Sequence, residues 1–301
     1  MTAPLKTGAW QKLERYSVIT PLGIRFWDPA FDTPVSNGLV VTAYPEGSRR
    51  PAARAICTAS GVYALHGLAG LRALEYPTGD PVSPGSLPLV ARFRIEVTDA
   101  AARFLPMAFV VDAPFRGIFP TDLPLGPNAS APPGFFLFSS PTRPTTPQVA
   151  VVRAQISERI NDVDERPAAH AVLEATTTAG DRWIGLADDR GSVASLFPYP
   201  TFTLVADTAA SLLPPVDGAQ QSWPLTIGVR YQPSVLSFVA GSPLPELRSV
   251  LAQAPAAIWT GRATPPGQAV SALPATLVFG QELVLRSAQE SVLLIGLGSM
   301  P

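Results

Sequence analysis

Proline punctuates this chain from end to end, and that limits what it can fold into. A proline has no backbone N–H to give and breaks a helix interior. With 34 prolines and 23 glycines in 301 residues, the chain favours many short strands and loops over long helices.

Between these breaks one pattern occurs twice. The first copy runs from Asn37-Gly38-Leu39-Val40-Val41-Thr42-Ala43 to Thr58-Ala59-Ser60-Gly61-Val62-Tyr63-Ala64-Leu65. The second runs from Arg166-Pro167-Ala168-Ala169-His170-Ala171-Val172-Leu173 to Asp188-Asp189-Arg190-Gly191-Ser192-Val193-Ala194-Ser195-Leu196. Each reads as a strand, a loop, a polar turn closed by glycine and a second strand. Val41 to Gly61, like Leu173 to Gly191, spans about twenty residues, the scale of a repeated supersecondary unit. The turn at 58–61 has no carboxylate and the turn at 188–191 has two, so backbone geometry explains the shared form better than shared chemistry.

The rest of the pattern is also β. Leu89 to Val97 alternates, with Leu89, Ala91, Phe93, Ile95 and Val97 on an apolar face and Val90, Arg92, Arg94 and Glu96 on the other. Further strands are predicted over Ala52 to Cys57, Val62 to His66, Met107 to Val111, Val149 to Glu158, Leu225 to Tyr231 and Val235 to Val239. Gly67 to Leu71 is expected to return the chain to a strand ending at Tyr76. Leu277 to Phe279, Glu282 to Arg286 and Ser291 to Ile295 read as a closing meander. The clearest helix is Pro245 to Gln253, where proline suits the first turn, Glu246 complements the positive end and Leu247, Val250 and Leu251 make one apolar face. A second short helix fits Asp207 to Leu213. The expected fold is mainly β, with tandem small β-sandwich modules and a strand-rich C-terminal region carrying one short helix. Its divisions are an N-terminal arm at 1–16, module one at 17–77, a linker and strand-rich middle segment at 78–148, module two at 149–206 and a C-terminal region at 207–301.

Composition narrows the functions open to it. The chain is 47% hydrophobic and 15% charged with a net charge of −1, enough apolar surface for a large core and no basic block for nucleic acid. No apolar run is long enough to span a bilayer, and the first residues carry no apolar signal-peptide core. This predicts a cytoplasmic product, extracellular only after release of a particle. Cys57 is the one cysteine and sits in an apolar context, as a buried structural thiol does.

Catalytic patterns are missing. His66 and His170 are the only imidazoles, too few and too far apart for zinc, and no cofactor is expected. Asp162, Asp164 and Glu165 cluster without the glycine and glutamate register of a calcium loop, and read as a solvated turn. There is no Gly-x-Ser-x-Gly elbow and no phosphate-binding loop. His66 is expected at a loop or edge contact, and His170 facing solvent or a neighbouring subunit. The candidate interface is aromatic and apolar: Trp10, Leu13 and Tyr16 on the arm, Phe135, Phe136 and Phe138 in one cluster, Phe197, Tyr199 and Phe202 in another.

The first repeat, Gly38-Leu39-Val40-Val41-Thr42-Ala43 followed by Thr58 to Leu68, resembles the carboxypeptidase-regulatory-like or transthyretin-like β-sandwich, without its usual closing Gly-x-Tyr. Members of that family are accessory modules, which implies no catalytic residues here. Arg103-Phe104-Leu105-Pro106, Pro167 to Ala171, Ala187 to Gly191 ending in Phe197-Pro198-Tyr199-Pro200, and Phe279 to Arg286 are similar to non-enzymatic baseplate-associated proteins of phage-tail-like contractile injection systems. That resemblance implies a structural subunit whose partners are tail or baseplate proteins. A surface adhesin or carbohydrate-binding protein, and a hydrolase with regulatory β-modules, are the alternatives.

Overall fold

The computed structural model describes residues 18–75, 90–115, 117–119, 134–161, 163–200, 221–262 and 268–297. Trp10, Leu13, Tyr16, Asp162, Phe202, the linker from 77 to 88 and the expected helix at 207–213 lie outside these. The chain is mainly β, in two sandwiches.

The first sandwich contains β1 (Leu22–Asp28), β2 (Thr33–Pro34), β3 (Leu39–Pro45), β4 (Ala53–Arg54), β5 (Ile56–Cys57), β6 (Val62–Leu65), the short helix α1 (Arg72–Glu75), β7 (Ala91–Asp99), β8 (Met107–Ala113) and β9 (Phe135–Phe136). One sheet has the order β2-β1-β6-β5 with β9 parallel to β1; the other has the order β4-β3-β7-β8. Period-two alternation sends Leu22, Ile24 and Phe26 from one sheet and Val41, Ala43, Phe93, Ile95, Val97, Phe109 and Val111 from the other into a single core.

The second sandwich contains β10 (Val149–Arg159), β11 (Glu165–Pro167), β12 (Val172–Thr177), β13 (Arg182–Leu186), β14 (Ser192–Pro198), β15 (Ser222–Arg230), α2 (Leu247–Leu251), β16 (Ala257–Trp259), β17 (Ala269–Val270), β18 (Leu273–Val278), β19 (Glu282–Leu285) and β20 (Leu293–Gly296). Its spine is β10, antiparallel to β14 and β11 on one side and parallel to β19 and then β20 on the other. The facing sheet has the order β13-β12-β15-β18. Ala150, Val152, Ala154 and Ile156 of β10 meet Leu173 and Ala175 of β12 and Leu225, Ile227 and Val229 of β15 in the core.

The two sandwiches follow one plan. In the first, β1 pairs with β2 and β6, and β3 pairs with β4 and with β7, which pairs with β8. In the second, β10 pairs with β11 and β14, and β12 pairs with β13 and with β15, which pairs with β18. The closing segment is split in both. In the first copy Ile118 bridges Gly23 in parallel before β9 joins β1, and in the second β19 and β20 join β10 in turn. The repeat seen in the sequence is therefore the corner of a larger duplication. In each copy its first strand lies in one sheet and its last strand in the other.

Several expectations need correction. The breaks at 77/78 and 206/207 divide neither sandwich, because β3 pairs with β7 over seven positions from Leu39–Asp99 to Pro45–Phe93 and β12 pairs with β15 from Val172–Arg230 to Thr177–Leu225. The segment after Gly67 turns into α1 instead of a strand: Leu68 and Leu71 are fully buried at i and i+3, and Leu71 and Leu74 donate their amides three residues back. Pro233–Val235 is a 3-10 turn leading into a loop. Ala52 to Cys57 is two short strands, β4 and β5, in different sheets. The closing strands are not a meander, since β18 pairs with β15 while β19 and β20 pair with β10. The expected helix is present as α2, with the Glu246 carboxylate capping the Ser249 amide at 3.1 Å and Leu247 and Val250 buried.

Candidate functional site

The second sandwich carries an insertion, from Tyr231 to Val270, between β15 and β18. Its first part crosses to the other sandwich. Phe238 and Pro245 close a small hairpin, Glu246 bridges Ala108 of β8 in parallel, and α2 follows. Leu247 and Val250 join the first core together with Val172 and Leu186 from the second sandwich. The helix is thus a wedge with an apolar contact on each side. Buried Gln253 fastens its base, donating to the His170 carbonyl at 2.7 Å and accepting from the Gln232 amide at 2.8 Å.

The crossing segment explains a residue that alternation alone misplaces. Arg94 lies on the polar face of β7, yet only 2% of it is exposed. It donates to the Ala240 carbonyl, pairs with Glu96 at 3.0 Å and lies 4.3 Å from the centre of the Tyr44 ring. Covering a guanidinium in this way is tolerable because its charge is paired and its plane is stacked.

A second fastening sits at the connector between the sandwiches. Arg143 is buried and forks onto Asp28 of β1, at 3.0 Å to Oδ1 and 2.5 Å to Oδ2, with Ser139 Oγ at 3.0 Å. Phe104 faces the same guanidinium at 4.7 Å. From the other side Arg153 of β10 donates to the carbonyls of Pro141 and Arg143. Ala30 then packs with Val149, Val151, Ala194 and Leu196, one residue of the first sandwich against four of the second.

One open groove remains beside the crossing segment. About 530 Å³ in volume, it is lined by Val110, Asp112, Phe115 and Phe119 on one side, Phe238 and Val239 on the other, and charged residues along the rim. Its aromatic floor continues inward. Phe115 meets Phe119, Phe119 stacks on Phe109, Phe109 on Phe135, and Phe135 meets Phe26 edge to face. Arg92 bonds Asp112 at 2.9 Å and approaches Glu46 at 3.9 Å, and the Asp112 carboxylate holds this guanidinium above its ordinary pKa. The edge of β8 forms one bank.

The aromatic residues expected at an interface divide differently. Phe135, Phe138 and Phe197 are core; Phe197 stacks on Trp183 at 4.2 Å. Phe136 is half-buried against the first core. Tyr199 packs on Trp223 and Phe279 and accepts a hydrogen bond from the Gly280 amide. No family model matches the chain, and no curated protein matches it. Among solved structures it is similar to the TIE protein of Bacillus anthracis, at 9% identity over 86% of this chain and 44% of that one, with a TM-score of 0.22. It is also similar to a C-terminal fragment of the pilus adhesin SpaC from Lactobacillus rhamnosus GG, at 9% identity over 93% of this chain and 100% of that one, with a TM-score of 0.19. The chain therefore spans less than half the length of the first of these, and neither likeness carries a functional argument.

The titratable groups serve the frame. His66 bonds Thr20 through Nε2 at 3.1 Å. Tyr63 is pushed up to about 12 by burial and by the neighbouring Cys57 thiol. Burial works against ionised Asp99, but Arg103 and two backbone amides outweigh it and hold the carboxyl below its usual range. Among the described residues no three metal-binding side chains come together, and no helix is long and apolar enough to cross a membrane.

His170 is expected to face solvent or a neighbouring subunit. It is half-buried at φ 61°, three residues before Leu173, just as Gly38 at φ 80° stands three residues before Val41. Burial lowers its pKa, and Asp189 and Asp188 only partly restore it. The folded chain therefore resists protonation that the unfolded chain accepts below about pH 6.5. Its contribution to stability is complete above that pH and is lost as pH falls through the depressed value. The variant His170→Gly is expected to remove that acid-side loss and to relieve about 1 kcal/mol of left-handed backbone cost. Urea midpoints of the two proteins above and below about pH 6.5 check both effects.

Proposed function

We propose that this chain is a non-enzymatic structural subunit that works by protein–protein contact, and that its assembly is a phage-tail-like contractile injection particle, at the baseplate. The observation that carries the structural part is the double fastening between the sandwiches. Tandem domains normally move against each other unless a large apolar interface stops them. Here α2 packs into the first core beside Val172 and Leu186 of the second sandwich, and Arg143 anchors the connector, so the two sandwiches are fastened at two places. A stiff body loses less conformational entropy when it enters a symmetric particle. The contractile particle itself rests on the sequence resemblance at 103–106, 167–171, 187–200 and 279–286.

The competing readings draw less support from the described residues. Of the rings in the two aromatic clusters that would stack on sugar, Phe135, Phe138 and Phe197 are in the cores. A hydrolase needs free carboxylates in a concavity. In the groove Asp112 and Glu46 share Arg92, and Glu246 caps α2.

Sedimentation of particles from lysed producer cells, with the chain followed by antibody, tests the assignment. The chain is expected to sediment with sheath and tube proteins and to stay with the baseplate end after the particle is dissociated. Recovery of the whole pool as a free monomer overturns it.

A further inference from the structure

The geometry points to the outer edge of β8 as a docking site for one extended strand of a partner protein, uncharged and with an apolar side chain at every second position. The inference rests on the assembly reading above and gives it a surface. In the sheet order β4-β3-β7-β8 the last strand has a ladder on one side. On its other side, among the described residues, the bridge from Ala108 to Glu246 is the one contact of this kind. The chain has already added a short piece of its own backbone to that edge, and then turned away into α2. From Val110 to Asp112 the edge lines the groove.

An open strand edge invites another strand, and proteins that must avoid this blunt the edge with proline or charge. The duplicated fold provides the comparison. In the second sandwich the equivalent edge strand, β18, carries Pro274. In β8 the sequence is Met-Ala-Phe-Val-Val-Asp-Ala, with no proline, and its one charge, Asp112, is bonded sideways to Arg92. The groove beside this edge has the form of a strand site. Phe115 and Phe119 make its apolar floor, and Phe238, 56% exposed, stands as its far wall. Charge selects the occupant. Arg92 is paired with Asp112 at 2.9 Å and lies near Glu46, Glu246 is taken by the start of α2, and Arg248 also has a partner, so a charged strand gains no free counter-ion from these groups while an uncharged one leaves the pairs intact. Backbone bonds would give affinity, and alternate apolar side chains entering between Phe119 and Phe238 would give register.

The experiment uses the full-length chain and a blocked peptide, acetyl-Thr-Val-Thr-Val-Thr-Val-Thr-amide, with two analogues N-methylated on the odd or on the even residues. Binding is followed by amide hydrogen exchange and by titration. The parent peptide is expected to bind saturably and to slow exchange of the amides between Phe109 and Ala113. One methylated analogue is expected to bind and the other to fail, because only one edge of the peptide meets β8. Phe238→Ala and Val110→Lys, each with an unchanged urea midpoint, are expected to weaken binding about tenfold. Equal binding of both methylated analogues, or protection elsewhere, overturns the proposal. So does a dimer of the free chain that Val110→Lys separates, since the edge would then belong to a second copy. Incorporation into sedimented particles is scored for the same variants. A chain that enters particles but binds no peptide overturns the edge alone. A chain that binds peptide but stays out of particles overturns the assembly reading alone.

Discussion

Arg143→Met is expected to remove about 3–5 kcal/mol of stability, since it strands the Asp28 carboxylate in a buried site. Both side chains are nearly closed off from solvent, at 6% and 9% exposure, so water cannot replace the lost partner. Domains of ordinary stability have about 5–15 kcal/mol in total, so the change removes a large fraction of it. The loss extends along the connector. Arg153 reaches back to the carbonyls of Pro141 and Arg143, so the contact of β10 with the connector runs through the segment that Arg143 ties to β1. The midpoint in urea is expected to fall, and limited proteolysis to cut between Ser139 and Gln148. The double variant Asp28→Leu with Arg143→Met is expected to recover part of the loss, because two apolar groups leave no charge uncompensated while the buried Ala30 amide loses its acceptor. A single variant as stable as the parent would mean that the ion pair is not part of what fixes the sandwiches together.

The contrast between Arg143 and Arg94 shows how far the sequence could be read. Alternation along β7 correctly separated Phe93, Ile95 and Val97 from Arg92, Arg94 and Glu96, because period two is a local property of a strand. It placed Arg94 in solvent because its cover, Ala240, comes from a segment 146 residues later. Domain limits failed for a related reason. The proline-rich stretch after Tyr76 has the composition of a boundary, yet β3 before it and β7 after it are neighbours in one sheet. Only the corner of the duplication was visible, because its turns demand glycine at a fixed place and most other paired positions demand no more than an apolar side chain. The helical return at Leu68, Leu71 and Leu74 had a usable signal, three-residue spacing, which the surrounding glycines obscured. The groove had none: Val110, Phe119 and Phe238 meet only through topology, and of the aromatic residues that were legible Phe135, Phe138 and Phe197 are core.

The two glycine turns give the sharpest comparison, since they share a backbone and differ in surroundings. In the first, the Thr58 amide donates to Val62 and the Gly61 amide to Thr58; in the second, the Asp188 amide donates to Ser192 and the Gly191 amide to Asp188. Gly61 has φ 75° and Gly191 φ 80°, so alanine at either position carries a left-handed penalty of about 1–2 kcal/mol. A Cβ on Gly61 meets Ser36 and Pro34 at 3.8 and 3.9 Å, ordinary contact, so Gly61→Ala is expected to cost that penalty and little more. A Cβ on Gly191 falls 2.3 Å from the Ile156 carbonyl oxygen and 3.1 Å from the Ala168 amide. Those groups cannot swing aside: Ile156 takes its own bond from Ala168 and donates to the Gly191 carbonyl, in the middle of the spine strand β10. Overpacking adds about 1–3 kcal/mol, so Gly191→Ala is expected to lose about 2–5 kcal/mol in all. Urea midpoints for the two variants, measured side by side, check the ordering. Equal losses would mean that the turn alone sets the requirement for glycine; a much larger loss at 191 would mean that the spine strand sets it, through the close approach of Gly191 to β10.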